Sequence, residues 1–214
     1  MNPLTQLANI YNTNKGFYHG YTRFYHNLFH ERRNDIKSVF EIGIDQGASL
    51  FTWRDYFPNA TIYGIDLQIP DAVRNKERIV CDVADQDSAD QLLSVIKLWG
   101  NPLFDIILDD GGHHVSQQRV SFETLWKFVK PGGIYVIEDL HTNIPELFYS
   151  HPHLLPSSRL PLYINEQTTV HQNLLQLMTG GQNPFAIPTD EITDIVYFSN
   201  VPTQSLSCAI YKRE

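Results

Sequence analysis

The chain has 214 residues, 42% of them hydrophobic, which suits one domain with a substantial core and argues against a disordered or fibrous chain. Sixteen basic against twenty-four acidic residues give a net charge of −8 with no Lys/Arg cluster, a poor footprint for phosphate backbones, so nucleic acid is not an expected partner. No apolar run approaches the ~20 residues that span a bilayer, and Met1–Gln6 carries no basic stretch followed by an apolar one, so the expectation is a cytoplasmic protein without a membrane partner.

The first segment, to about Arg33, reads as helical, because Tyr21, Phe24, Tyr25, Leu28 and Phe29 recur at helical spacing. Short strands and helices then alternate. Ser38–Ile42 reads as a strand, Ala48–Tyr56 as a helix, Thr61–Ile65 and Arg78–Val83 as strands, Ala89–Leu98 as a helix and Phe104–Leu108 as a strand. Ser116–Val129 reads as a helix stopped by Pro131-Gly132-Gly133, followed by the strand Ile134–Ile137. Alternation of this kind predicts an α/β fold with a mostly parallel sheet and helices on both faces. The pattern breaks from His141 to about Asn165, a proline-rich stretch of the sort that forms lids or binding loops. Gln167–Met178 reads as a helix, and Asp194–Phe198 with Leu206–Lys212 as a closing antiparallel pair. Cys81 and Cys208 each fall in a strand and read as small core residues rather than a disulfide or metal pair. The amino-terminal helix and the long loop could serve an interface in a homo-oligomer.

Chemistry in such sheets sits at the carboxyl ends of the strands. The first strand runs into Glu41-Ile-Gly43-Ile-Asp45-Gln-Gly47-Ala-Ser49, a glycine turn that lets backbone approach a ligand at a helix N-terminus. The second strand ends at Asp66, placed to accept from ribose hydroxyls, with Leu67 behind it. The third ends at Asp82-Val83, placed either to meet an adenine ring or to cap the next helix. This spacing fits any nucleoside cofactor. The turn is Gly-x-x-x-Gly, though, and Asp45 stands where a pyrophosphate would need glycine. A cationic ligand suits Glu41 and Asp45 better, which favours S-adenosylmethionine over a dinucleotide.

Two neighbouring strands end in Asp109-Asp110-Gly111-Gly112-His113 and in Glu138-Asp139. Four carboxylates and a histidine around one crevice read as a site for a hard divalent cation with a base beside it. Asp109 taken alone reads as a cap or a cofactor contact. The trio Asp110, Glu138 and Asp139 would repel one another without a cation. The pair His151 and His153, with His171, reads as ordinary loop histidines, and Trp53, Trp99, Trp126 and Tyr135 read as packing.

The strings Glu41–Trp53 and Ile62–Asp66 resemble a class I S-adenosylmethionine-dependent methyltransferase. Asp109–Val115, Phe128–Gly133 and Tyr135–Leu140, with the lead-in Asn14–Tyr21 and Tyr25, resemble one subgroup. These are the metal-dependent O-methyltransferases that act on deoxysugars of macrolides and polycyclic aromatic polyketides. The chain departs from their pattern at Asn14, Gly112 and His114, where Asp, Ser and an apolar residue are common.

From length and pattern, residues 1–214 are expected to form one domain, with residues 1–33 a helical lead-in and 141–181, which has no clear match in that subgroup, a substrate lid. The resemblance implies a Rossmann-like seven-stranded sheet with its last strand antiparallel. It also implies Mg²⁺ ligation by Asp110, Glu138 and Asp139, and His113 as general base, with His114 and His141 as the other candidates for that role. Gly43, Gly47, Asp66 and Asp82 would contact the cofactor, as could Tyr21, Glu41, Ser49, Leu67, Val83 and Asp109. The expected function is methylation of a hydroxyl on a small-molecule acceptor, a sugar of a glycosylated natural product. The alternatives are a catechol or carboxylate acceptor, or an NAD-dependent oxidoreductase.

Overall fold

The computed structural model describes residues 1–143, 170–200 and 205–214. Three helices lead: α1 (Pro3–Ile10), α2 (Asn14–Phe17) and α3 (Tyr21–Phe29). The helical lead-in is therefore broken rather than continuous to Arg33. Asn12 and Gly20 sit at the breaks with φ of 57° and 71°, left-handed conformations that an α-helix cannot continue through. The alternating part follows as β1 (Ser38–Ile42), α4 (Ala48–Tyr56), β2 (Thr61–Asp66), β3 (Ile79–Val83), α5 (Ala89–Leu98), β4 (Phe104–Asp109), α6 (Val115–Leu125) and β5 (Val129–Ile137). After it come α7 (Val170–Met178), β6 (Ile192–Asn200) and β7 (Ser205–Lys212).

The strands form one seven-stranded sheet in the order β3-β2-β1-β4-β5-β7-β6. The neighbours from β3 to β5 pair in parallel, and β7 runs antiparallel to both β5 and β6. The chain winds outward from β1 to β3, then crosses back to place β4 on the other side of β1. That reversal opens a crevice at the carboxyl ends of β1 and β4, where open α/β sheets hold ligands.

Side chains alternate between the two faces of each strand. Phe40, Phe104, Ile107, Tyr135 and Ile137 join one core with Leu92, Phe122, Trp126 and Leu174. Val39, Ile106, Leu108, Ile134 and Val136 join the other with Tyr21, Tyr25, Phe29 and Trp53. The N-terminal helices thus cover the same face as α4. The same parity turns Glu41 and Glu138 towards them.

One boundary differs from the sequence reading. The sixth helix ends at Leu125, and a single 3₁₀ turn, Trp126–Phe128, leads straight into β5. Pro131-Gly132-Gly133 lies inside that strand rather than ahead of it. Val129 pairs with Phe104 and Ile134 with Ile106, so β5 advances five residues while β4 advances two. The surplus is a bulge, in which Gly132 takes φ 70° and a Cβ on Gly133 would come within 3.0 Å of the Asp105 carbonyl. Of the predicted helix Gln167–Met178, Val170–Met178 is helical. Residues 167–169, most of the 141–181 loop with His151 and His153, and the 201–204 connection lie outside the described residues. No helix among the described residues is long and apolar enough to cross a membrane.

Candidate active site

A cavity of about 420 Å³ opens over the carboxyl ends of β1 and β2 and runs to the end of β4, within the range of small-molecule pockets. Gly43, Ile44, Asp45, Ser49, Asp66 and Leu67 line one side, and Ala84–Gln86 with Asp110–Gly112 line the other. Asn12–Lys15 and Phe17 of the N-terminal segment complete the wall. Gly43 has φ 83°, and a Cβ there would run into the carbonyl of Asp110, so only glycine lets β1 and β4 approach at this point. Gly47, at φ 86°, is similarly closed against Val73.

Asp66 fixes the turn. Its Oδ2 accepts from the N–H groups of Ile44 (2.8 Å) and Asp45 (3.1 Å), and its Oδ1 accepts from Leu67 N–H at 2.7 Å. Asp82 accepts from Trp99 Nε1 at 2.7 Å, and Val83 is exposed; neither lines the cavity, whereas the next three residues do. Asp109 is fully buried, accepting from Ser121 Oγ and from Gln86 Nε2 at 3.0 Å. Burial pushes its carboxyl above the usual range, with those hydrogen bonds pulling the other way. Gln86 in turn accepts from Gly112 N–H at 2.6 Å, tying the β3 side of the cleft to the β4 end. Asp109 therefore braces the cleft from inside.

Beside this cavity lies the acidic cluster. Glu41 is wholly buried, accepting from Ser49 Oγ (2.6 Å) and Trp53 Nε1 (3.1 Å). Its carboxyl is pushed up by burial, opposed by the nearby Lys15 ammonium. Lys15, only 2% exposed, donates to Asp110 Oδ2 and to Glu138 Oε1 (2.7 Å), and lies 3.6 Å from Glu41 Oε1. Burial alone would lower the Lys15 pKa, but the three carboxylates outweigh that and hold it well above the usual lysine value. Glu138 also accepts from Tyr25 Oη, and Asp139 Oδ1 accepts from Tyr21 Oη at 2.5 Å. Tyr21 is thus buried against Asp139 and does not line the cavity.

His113 Nε2 stands 3.3 Å from Asp139 Oδ2 and 4.0 Å from Asp110 Oδ1. Ligand atoms of Asp110, His113 and Asp139 all lie within 4.8 Å of one another, a grouping that fits a metal ion. Asp110 and Asp139 offer hard oxygens and no thiolate stands among them, as suits a divalent cation such as Mg²⁺ or Mn²⁺, with the His113 imidazole beside them. Glu138, read from the sequence as a third ligand, is adjacent but gives one oxygen to Lys15 and Tyr25. His113 and Asp139 have φ of 58° and 54°, which costs non-glycine residues about 1 kcal/mol each. Such strain collects at functional sites.

The two neighbouring histidines separate cleanly. His114 is the N-cap of α6: its side chain accepts from Ser116 N–H at 3.3 Å, and its own N–H donates to Gln117 Oε1 at 3.2 Å. His141 Nδ1 lies 3.8 Å from Asp139 Oδ1. His19, not singled out from the sequence, also feels the charges of Asp139 and Asp110, although burial lowers its pKa overall. Lys15 and Gln86 were likewise missed. The one available sign of Lys15 was its place inside the lead-in string Asn14–Tyr21.

The sheet order, glycine turn and cleft define the Rossmann-like methyltransferase fold. No family model matches the chain. It is 38% identical over 147 residues to the mycinamicin VI 2''-O-methyltransferase of Micromonospora griseorubida, covering 65% of this chain and 36% of that one. The demethylmacrocin O-methyltransferase of Streptomyces fradiae is equally similar, with the same coverage. The chain therefore spans little more than a third of the length of these curated relatives. Among solved structures it is similar to the MycE methyltransferase of the mycinamycin biosynthetic pathway, in complex with Mg, SAH and mycinamycin VI. That match has a TM-score of 0.78 at 28% identity and covers 100% of this chain and 55% of the other.

Proposed function

We propose that this protein is an S-adenosylmethionine- and Mg²⁺-dependent O-methyltransferase acting on a sugar hydroxyl of a glycosylated natural product. The observation that carries this reading is the convergence of two features in one crevice. A cleft shaped by the Gly43 turn meets the carboxylates of Asp110 and Asp139, with His113 beside them, at the ends of β4 and β5. The relatives named above, methyltransferases of macrolide pathways, support the substrate class.

In this reading Gly43, Ile44 and Asp66 form the floor for the nucleoside, and Asp110, Glu138 and Asp139 hold the ion. When bound, the cofactor supplies an electrophilic methyl group and the ion supplies the Lewis acidity that lowers the pKa of an acceptor hydroxyl. His113 Nε2 takes the hydroxyl proton, and Asp139 Oδ2, 3.3 Å away, steadies the charge that the imidazole gains. Lining the acceptor up with the methyl group is left to the walls of the cleft.

The same proposal treats residues 1–214 as one domain, with residues 1–33 as its lead-in and 141–181 as the acceptor lid. What supports the lid is that its first residues, His141 and Thr142, pack beside the cluster, Thr142 Oγ1 donating to the His113 carbonyl at 2.9 Å. It further takes the protein to be cytoplasmic, without nucleic-acid or membrane partners, with the N-terminal helices and the lid as the surfaces for any homo-oligomer. The test is methyl transfer from S-adenosylmethionine to a panel of glycosylated macrolides, their aglycones and simple catechols. Turnover of the glycosylated acceptors with Mg²⁺ and none with EDTA is the expected result. Turnover of catechols alone would move the acceptor class, and metal-independent turnover would contradict the proposal.

A further inference from the structure

Asp110, Glu138 and Asp139, just past the ends of β4 and β5, are each gripped by a side chain from the N-terminal helices. Lys15 on α2 holds Asp110 Oδ2 and Glu138 Oε1, Tyr25 on α3 holds the same oxygen of Glu138, and Tyr21 holds Asp139 Oδ1. In Asp110 and Asp139 it is the other oxygen, Oδ1 and Oδ2 respectively, that faces His113. One oxygen of each is thus fixed from behind while its partner is turned to the centre of the cluster.

We propose that Lys15 is a positioning residue of the cation site, whose ammonium sets the carboxylates of Asp110 and Glu138 in place before a divalent ion arrives. This rests on the Mg²⁺-dependent reading above. Two observations separate it from a lysine that merely fills the ion's place. Its helix is pinned: the Thr13 side chain accepts from Lys15 N–H, and a Cβ on Gly16 would lie 2.9 Å from Ala8 Cβ, so α2 is seated tightly on α1. The ammonium also bonds Asp110 on Oδ2, the oxygen opposite the one that approaches His113. Repulsion between ammonium and divalent ion opposes the role. Burial pushes the Glu41 and Glu138 carboxyls up, but Asp110 and Asp139 alone outnumber the one ammonium, so attraction for the ion survives. Lys15 thereby carries the N-terminal segment into the chemistry of the site, since the lead-in supplies the outer layer of the ion's ligands.

The test is Mn²⁺ binding to the whole chain without acceptor, followed by loss of the free-Mn²⁺ electron paramagnetic resonance signal. Removing an outer-layer partner of metal ligands costs roughly 10–100-fold in affinity, so Lys15→Met is expected to bind Mn²⁺ at least about 10-fold more weakly, with an unchanged circular dichroism spectrum. Equal or tighter binding would overturn the proposal and make Lys15 a competitor for the site. Should the Met variant fail to fold, Lys15→Gln, which keeps a donor and loses the charge, is read by the same criterion. A wild type that binds S-adenosylhomocysteine but no Mn²⁺ would instead remove the metal reading, and the positioning role with it.

Discussion

His113 and His114 are chain neighbours with the same side chain and opposite duties. His114 closes the first turn of α6, while His113, held at φ 58°, turns its Nε2 to Asp139. From the sequence the pair was ambiguous, because a cap is recognised by backbone geometry that a lone His-His does not reveal. The role of Lys15 was hidden for a different reason: its partners Asp110 and Glu138 lie 95 and 123 residues away, and no periodicity links positions that far apart. Asp110, Glu138 and Asp139 could be grouped from the sequence because all three stand within two residues of the ends of two neighbouring strands. With His113 as the base, His113→Ala lowers turnover by about 10²–10⁴-fold and leaves Mn²⁺ and S-adenosylhomocysteine binding in place. If Mn²⁺ binding is lost with turnover, His113 is a ligand and the proton goes elsewhere, to His141 or His19.

Among the elements, the strands were readable as short β-branched runs between turn residues, and β1, α4 and α5 fall where the pattern put them. The α6–β5 junction was not readable. Pro131-Gly132-Gly133 signals a break, but whether it ends a helix or bulges a strand depends on pairing with β4. That junction leans on Asp105 at the start of β4, whose Oδ2 accepts from Lys37 N–H (2.8 Å), Ser38 N–H (2.9 Å) and Lys130 Nζ (2.9 Å). Burial pushes the Asp105 carboxyl up, but these donors outweigh it and hold it below the usual carboxylate range. A depressed folded-state pKa stabilises the protein above the unfolded value of about 3.9, and that contribution is lost as pH falls through the folded value. Asp105→Asn is therefore expected to cost about 1–3 kcal/mol at pH 7 and progressively less below pH 4, as read by urea unfolding at both pH values. A deficit that is the same at pH 7 and pH 3 would contradict the linkage.

Across the whole molecule, the winding of the sheet brings a cofactor-sized cleft and a cation-sized cluster to the same edge. The sequence made the parallel sheet and its strand-end acids legible. It did not reveal that the N-terminal helices lay Lys15, Tyr21 and Tyr25 across those acids. The segment that would shape the acceptor's side offers few periodic signals, so the acceptor was the least legible part. The most direct test of the central claim is a calorimetric titration of the protein with S-adenosylhomocysteine, with Mg²⁺ and again with EDTA, alongside a Mg²⁺ titration of wild type and Asp110→Asn. The expected result is S-adenosylhomocysteine binding in both conditions and a Mg²⁺ signal that Asp110→Asn removes. No binding of S-adenosylhomocysteine in either condition would contradict the methyltransferase assignment, and NAD would be the next ligand to titrate.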